Sequence, residues 1–534
     1  MKWNQTEIEK ILKNHLIINS NTDTFYNCYY KCADKRKIAE LFNQRNHEII
    51  FGRRGTGKTT LFKALYYCTN FGIFEDNGCK CLYIDMEDVV PDKNELVTTD
   101  DSVVIIETYR KLLYNLVDQL IAFWVDLRAT SNYYGISYTD EDIKDIGEKL
   151  DLLLNLVVYG RKSNENSIET ETTNESIKST KGLTANIEFN PDSSITALLS
   201  KFSFGKSGEK SKIKQVSIEK KYIYTLDIYS IKSAFDNVIR SFKLNRLIIC
   251  IDEFTRVDKG LGTTIQPYIA QLIKDTFFRN PNISVKVSSL WNKTEMQRRQ
   301  LGKDRTGIEL GEDIKRGVDL DTMFFDSEYS TMFFENMIMA TCQLYSQDPV
   351  RGDSNFCAFL INTLFSDREA FKLLICGSQG VPRIFGNLLI AAIDKRVEKG
   401  RTQIDPQIVF ECVIENYTRD VRRKLPYTEK IVSIFDDFIS DSKTRFVFIS
   451  IEDYKKNRAE IEGLLDNNYM HQYPSERVNR RLRNRYKIYL IHFGNYLESL
   501  GIKEWRKNLA SSTALYPDIP EDAIVNPELY QLHL

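Results

Sequence analysis

Several features are missing from this chain, and each absence narrows what it can be. Charge of one sign is not in excess: 73 Lys and Arg stand against 74 Asp and Glu, a net charge of -1. No global field draws the chain to nucleic acid or anionic lipid, so any such binding needs a local patch. No apolar run approaches the length that crosses a bilayer. The first residues, Met1-Lys2-Trp3-Asn4-Gln5-Thr6-Glu7, are polar and lack the apolar core of a signal peptide. Together these features predict a cytoplasmic protein with no membrane partner. The 10 cysteines are scattered. Neither the Cys28/Cys32 nor the Cys79/Cys81 spacing is the CxxC of a zinc ribbon. Cys250 and Cys376 lie inside apolar runs, as buried reduced thiols do. No cysteine-held metal and no disulfide is expected. Motifs for nuclease, protease or deaminase chemistry are also missing, so any destructive chemistry would belong to another chain.

What is present is ordinary in bulk and specific in one place. The 534 residues, 42% hydrophobic and 28% charged, suit a globular protein of two to four domains. The apolar segment 47–51 reads as a strand and runs into Gly52-Arg53-Arg54-Gly55-Thr56-Gly57-Lys58-Thr59-Thr60, after which 61–67 reads as helix. This is G-x-x-x-x-G-K-[ST] in the strand–loop–helix setting the motif requires. Gly52, Gly55 and Gly57 let main-chain N–H groups of the loop, Thr56 and Thr60 among them, approach phosphate oxygens. The helix N-terminus favours the same anion. Lys58 supplies a point charge for the β- and γ-phosphates, and the Thr59 hydroxyl a ligand for Mg2+.

A second apolar run, 247–251, ends in Asp252-Glu253, the pattern of a Walker B strand. Asp252 would hold Mg2+ through water, and Glu253 would act as general base on the attacking water. The chain between Lys58 and Asp252 is long for one βαβ unit, which predicts an insertion at about 130–222. A second strand is expected at 79–87 and an amphipathic helix at 104–128. Residues 163–181, rich in Asn, Ser, Thr and Glu, are expected to form a mobile loop. Beyond the acidic strand, 268–278 reads as helix and 283–290 as strand, with Ser288, Ser289 or Asn292 placed to meet a γ-phosphate. A short strand is expected at 318–325. Arg316, ahead of it, is the first choice for an arginine acting on a neighbouring subunit's nucleotide, and Arg305 the second. Gly380-Val381-Pro382-Arg383 opens a helix at 384–397. Pro382 suits the first turn. Arg383 is an unusual cation at a helix start unless an anion lies nearby.

In this order, the motifs resemble those of an AAA+ module. The Gly52–Thr59 loop and Gly380-Val381-Pro382-Arg383 look like those of origin-recognition and initiator-type ATPases and the related STAND switches, in particular bacterial origin-recognition-like ATPases found in defence settings. The resemblance covers roughly residues 25–400. It implies an α/β fold: a P-loop NTPase parallel sheet of AAA+ type, with a helical lid and a C-terminal winged-helix-like domain. It implies ATP and Mg2+ as cofactors, catalytic roles for Lys58, Thr59, Asp252 and Glu253, and a phosphate-sensing role for Arg383. It also implies an oligomer, and an antiviral switch with a separate effector protein.

The expected domains are an N-terminal helical segment, 1–45; the ATPase core, 46–325; the lid, 326–402; and the winged-helix-like domain and tail, 403–534. In the last, helices are expected at 405–423, 428–439 and 457–466, and strands at 446–449 and 486–491. Residues 508–534 read as an irregular tail. Arg477, Arg480, Arg481, Arg483 and Arg485, with Lys487, crowd where a wing tip would lie. They could neutralise phosphates of duplex DNA. A solvated loop or a protein-binding face fits them equally well. The leading expectation is an ATP-controlled assembly switch, and the alternative is a DNA-binding initiator or loader.

Overall fold

Helices α1 (Gln5–His15) and α2 (Lys35–Asn43) lead into β1 (Glu48–Phe51), in which every residue is buried. The computed structural model describes residues 4–16, 35–74, 78–90, 101–159, 226–258, 264–298, 305–323, 327–345, 354–424, 429–478, 485–510 and 531. After β1 come the glycine loop, α3 (Lys58–Asn70) and β2 (Cys79–Asp85). The chain divides into two compact units, one formed by Pro91–Leu244 and the other by Met1–Val90 with Asn245–Leu534.

The Pro91–Leu244 unit is helical. It holds α4 (Asp101–Thr130), α5 (Asp140–Tyr159) and α6 (Ile228–Ser241). Leu112, Leu116 and Leu120 of α4, Leu150 and Leu153 of α5, and Phe235 and Val238 of α6 are buried in it. Trp124 Nε1 donates to Ile143 O at 2.7 Å, and Tyr138 Oη to Phe242 O at 2.6 Å. The expected loop at 163–181 lies outside the described residues.

The larger unit resumes with β3 (Arg246–Asp252), α7 (Gln266–Phe277), β4 (Ile283–Ser289) and β5 (Lys315–Asp319). The five strands form one parallel sheet in the order β2-β3-β4-β1-β5. β3 and β4 are buried along their whole length, as parallel strands covered on both faces are. The polar Lys286 within β4 is accommodated by a buried ion pair to Glu48 at 2.7 Å. It also donates to Gln44 O at 2.9 Å and Asn46 O at 3.0 Å. A buried charge is tolerated when it is paired and fully hydrogen-bonded in this way.

One strand differs from its expected position. β5 begins at Lys315 rather than near Val318, and Leu320–Met323 turns into helix where strand was expected. Asp319 Oδ1 accepts from Asp321 N at 3.0 Å and so caps that turn. Residues 324–326 lie outside the described residues.

The lid follows: α8 (Ser327–Tyr345), α9 (Ser354–Leu364), α10 (Arg368–Ser378) and α11 (Pro382–Glu398). The C-terminal region contains α12 (Pro406–Asn416), α13 (Glu429–Ser442), β6 (Phe446–Ser450), α14 (Ile451–Lys456), α15 (Arg458–Asp466), β7 (Met470–Val478), β8 (Arg485–Ile491) and α16 (Phe493–Ala510). Its three strands are antiparallel in the order β6-β8-β7, with helices ahead of and between them. Strand β7 and most of α16 were not anticipated. Lid and C-terminal helices share one apolar core, which includes Leu12 of α1, Leu374, Phe385, Val413, Phe435, Tyr469 and Leu497. The fold is the expected α/β architecture, a parallel sheet with a glycine-rich loop between β1 and α3. Among the described residues no helix is long and apolar enough to cross a membrane.

Candidate nucleotide site

The glycine loop leaves β1 at the C-terminal edge of the sheet, where open α/β sheets bind ligands. Gly55 and Gly57 have φ of 85° and 96°, a region closed to most L-residues, so this path needs glycine at both. Thr56 is buried, and its hydroxyl donates to Arg53 O at 2.8 Å. Its main-chain N–H points to the same carbonyl at 3.4 Å, so Thr56 braces the loop from within. Lys58 opens α3 and is only 4% exposed. Its Nζ donates to Gly52 O at 2.7 Å and Arg53 O at 3.0 Å. Burial lowers the Lys58 pKa, opposed by the fields of Glu253, Asp252 and Asp321. The lysine thus lies within the field of the acids expected to share its chemistry. Thr59 and Thr60 lie in the first turn of α3.

Asp252 ends β3 and is fully buried. Tyr83 of β2 donates from its hydroxyl to Oδ2 at 2.9 Å, and the Ser288 hydroxyl of β4 donates to Oδ1. The Glu253 amide also donates to Oδ1, at 3.0 Å. Both carboxylate oxygens are thus held from the neighbouring strands. Burial and the Asp252 charge raise the Tyr83 pKa far above its ordinary value, so the phenol keeps its proton for this bond. Among the three candidates on or after β4, Ser288 is the one that touches Asp252. Ser289 bonds Thr294 instead, at 2.6 Å, and the Asn292 side chain lies outside the described set. Tyr83 was missed. An aromatic in a strand reads as core, and its polar end finds the carboxylate only because β2 and β3 are paired in register at Tyr83–Cys250 and Asp85–Asp252.

Glu253 sits at φ 52°, a strained conformation for a residue other than glycine. Its carboxylate lies 3.5 Å from Arg256 Nε, and Arg256 Nη1 lies 3.9 Å from Glu87. Asp85, at the end of β2, has its pKa pushed up to about 6. Burial is the main cause, the Glu87 amide opposes it, and the charges of Asp252, Asp88 and Glu253 add to it. The sheet edge is therefore crowded with negative charge opposite the lysine.

The start of α11 packs on the glycine loop. A methyl group at Gly55 would lie 2.9 Å from Val381 Cγ1 and 3.4 Å from Arg383 Cβ. Arg383, second residue of its helix, is exposed. The fold thus brings together Gly55, Lys58, Asp252, Glu253 and the base of Arg383 from three separate parts of the sequence. Arg316 is placed differently from its expectation. It lies within β5, not ahead of it, and its guanidinium covers the Trp291 ring at 4.0 Å. Arg305 pairs with Glu309 at 2.6 Å. The backbone of Arg477 pairs with Tyr486 across β7 and β8, and Arg485 is exposed at the start of β8. Arg480, Arg481 and Arg483 lie outside the described residues.

No protein-family model matches this chain, and no curated protein matches it. Solved structures do. The ORC2 protein of Aeropyrum pernix, described in ADPNP–ADP complexes, aligns over 91% of this chain and 93% of its own, with 10% identity and a TM-score of 0.32. A Walker-type ATPase of Pyrococcus abyssi aligns over 88% and 94%, with 12% identity and a TM-score of 0.33. The Cdc6p protein of Pyrobaculum aerophilum aligns over 89% and 92%, with 9% identity and a TM-score of 0.26. With so few identities and such low scores, the fold assignment rests on the chain's own strand order and site geometry.

Proposed function

We propose that this chain binds ATP with Mg2+, hydrolyses it, and uses the bound nucleotide to control assembly with further copies of itself. The observation that carries the reading is Lys58, buried at the start of α3 after a glycine loop that leaves the C-terminal edge of a parallel sheet, with its Nζ on the Gly52 and Arg53 carbonyls and within the field of Asp252 and Glu253. Lysine in that position has no packing role that a shorter apolar side chain would not fill better. Its charge is retained where a triphosphate would lie.

The residues divide the work. Main-chain N–H groups of residues 52–60 would hold the β- and γ-phosphates, with the Lys58 ammonium moved from the Gly52 and Arg53 carbonyls onto phosphate oxygen. Thr59 and Asp252 offer the oxygen donors that suit Mg2+. The nucleotide's phosphate oxygens would supply further ligands to the ion. Bound Mg2+ would neutralise charge on the phosphate oxygens. Tyr83 and Ser288 fix the Asp252 carboxylate for this role. Glu253 would take the proton of the attacking water, and Arg256 sets where its carboxylate rests. Arg383, at the start of the lid helix, would reach the phosphates from the other side. Arg316, at the sheet edge, would act on the nucleotide of an adjoining copy. The defence setting implied by the family resemblance would leave the destructive step to a separate effector.

The test is the solution mass of Glu253→Gln with ADP, and then with ATP and Mg2+. A defined larger species with ATP alone supports the switch, and an unchanged monomer in both states removes it. Lys58→Ala is expected to abolish nucleotide binding, and unweakened binding would overturn the site itself. A second reading, duplex DNA binding, is favoured by the β7–β8 hairpin, whose connecting residues 479–484 include Arg480, Arg481 and Arg483. Salt-sensitive duplex binding lost in the triple Arg→Ala variant would support it.

A further inference from the structure

A buried polar junction links the glycine loop to the C-terminal domain. Arg53 gives both its backbone N–H and its Nε to Asp321, at 2.9 and 2.8 Å. Its Nη2 donates to Gln379 O at 2.7 Å. Gln379 is 1% exposed, and its Oε1 accepts from Arg445 Nη2 at 3.1 Å. Arg445, just ahead of β6, donates from Nε to Ile491 O at 3.0 Å and lies 5.0 Å from the Phe493 ring. His471 and His492 line the same junction, with rings 6.3 Å apart. One glutamine therefore stands between the phosphate loop and the end of β8.

Gln379 is an unfavourable residue for its backbone. It caps α10 in the left-handed region at φ 54°, where glycine is the usual choice, and Gly380 follows at φ 74°. A strained side chain that is kept needs a reason in its contacts. Here the reason is the Arg445 bond, which glycine could not make. The junction is also incompletely satisfied. Gln379 Nε2, Arg53 Nη1 and both ring nitrogens of His471 find no hydrogen-bond partner among the described residues. Each unpartnered buried polar atom costs free energy where it stands, so an arrangement that gives it a partner competes with this one.

The loop end of this link is tied to the nucleotide. Lys58 Nζ donates to the carbonyl of Arg53, the same residue that holds Gln379. Transfer of the ammonium to phosphate removes one bond from that carbonyl and leaves it to Thr56 alone. We propose that Gln379 is a positioning residue that transmits the state of the glycine loop to the C-terminal domain through Arg53 on one side and Arg445 on the other. This rests on the nucleotide reading above, since phosphate is what draws Lys58 away.

Amide hydrogen exchange on the full chain tests it, with and without ATP and Mg2+. In the wild type, nucleotide is expected to change exchange both in residues 52–60 and in 485–497. Gln379→Gly suits the backbone and keeps the carbonyl that Arg53 uses, so the loop response should remain while the response at 485–497 is lost. Gln379→Glu keeps an acceptor for Arg445 and should restore it. A full response at 485–497 in Gln379→Gly overturns the proposal. A wild-type response confined to 52–60 also overturns it, with the nucleotide reading intact. No response anywhere removes the nucleotide reading itself.

Discussion

Asp85 shows how a single carboxylate can report on the whole site. It caps the Met86–Val89 turn by accepting from Glu87 N at 2.9 Å, yet its pKa is raised to about 6 by burial and by the acids around it. An unfolded aspartate titrates near 3.9. Between about 4 and 6 the folded chain therefore binds a proton that the unfolded chain releases, and stability contributed by this group falls as pH rises through that window. At neutral pH the charge is a burden on the nucleotide-free protein. Asp85→Asn keeps the capping oxygen and removes the charge. It is expected to raise the melting temperature at pH 7, to do so by much less at pH 4.5, and to leave it nearly unchanged below about pH 3.5. The gain should shrink when ATP and Mg2+ are added, because bound cation relieves the same repulsion. Equal melting temperatures for the two proteins at pH 7 would show that the acids are not crowded as described. The Tyr83 hydroxyl belongs to the same group of contacts. Tyr83→Phe leaves the ring in place, removes one bond to a buried carboxylate, and should destabilise the chain by about 1–3 kcal/mol, measured by chemical unfolding.

At the scale of elements, the sequence was most legible where one local rule decided the outcome. The glycine loop between a strand and a helix, the apolar run ending in Asp252-Glu253, and Pro382 in the first turn of its helix each combine composition and spacing in one place. Reading failed where a partner distant in sequence decided. The strand at 283–290 was expected, but the burial of Lys286 within it depends on Glu48, a partner far away in sequence. The stretch from Val318 to Phe325 is more apolar than Lys315–Asp319. Pairing with β1 places the strand on the latter all the same. β7 was hidden because His471, Gln472 and Glu476 do not alternate as a strand should, and its pairing with β8 shifts register between Gln472 and Glu476. The displaced β5 has a consequence for Arg316. Its guanidinium rests on Trp291, which is also stacked on Phe51 at 3.9 Å. Such a contact is worth about 0.5–1 kcal/mol at an exposed site, little enough for the arginine to leave it for a phosphate. If Arg316 serves a neighbouring copy, ATP-driven assembly of Glu253→Gln should change the tryptophan emission, and the added change Arg316→Ala should abolish that difference. An identical emission change with and without Arg316 would take this residue out of the assembled site.

At the scale of the whole molecule, the buried histidines make the docking of the C-terminal domain sensitive to acid. His492 is stacked on Tyr417 at 5.1 Å, and its Nδ1 accepts from Gly494 N at 2.9 Å. Burial, with the nearby cations Arg445 and Arg53 adding to it, lowers its pKa to about 3. His471 is lowered well below its ordinary value by burial and by Arg53, His492 and Arg445. Both are therefore neutral in the folded chain at any pH near neutrality. In the unfolded chain they titrate near 6.5. Below that pH the unfolded state binds protons that the folded state refuses, so stability is complete above about pH 6.5 and falls as pH drops toward the folded values. For His492 the slope approaches about 1.4 kcal/mol per pH unit, or about 2 kcal/mol by pH 5, and His471 acts in the same direction. His492→Asn places an amide oxygen where Nδ1 stood, keeps the Gly494 bond, and removes one of the two titrations. Protection of the β8 amides, compared between the two proteins at each pH so that intrinsic exchange cancels, reports the difference. The wild type should lose protection relative to the variant by about 2 kcal/mol between pH 6.5 and pH 5. Parallel profiles would mean that His492 can take a proton without leaving its site. In that case the excess of positive charge around Arg53 and Arg445 would not be felt there.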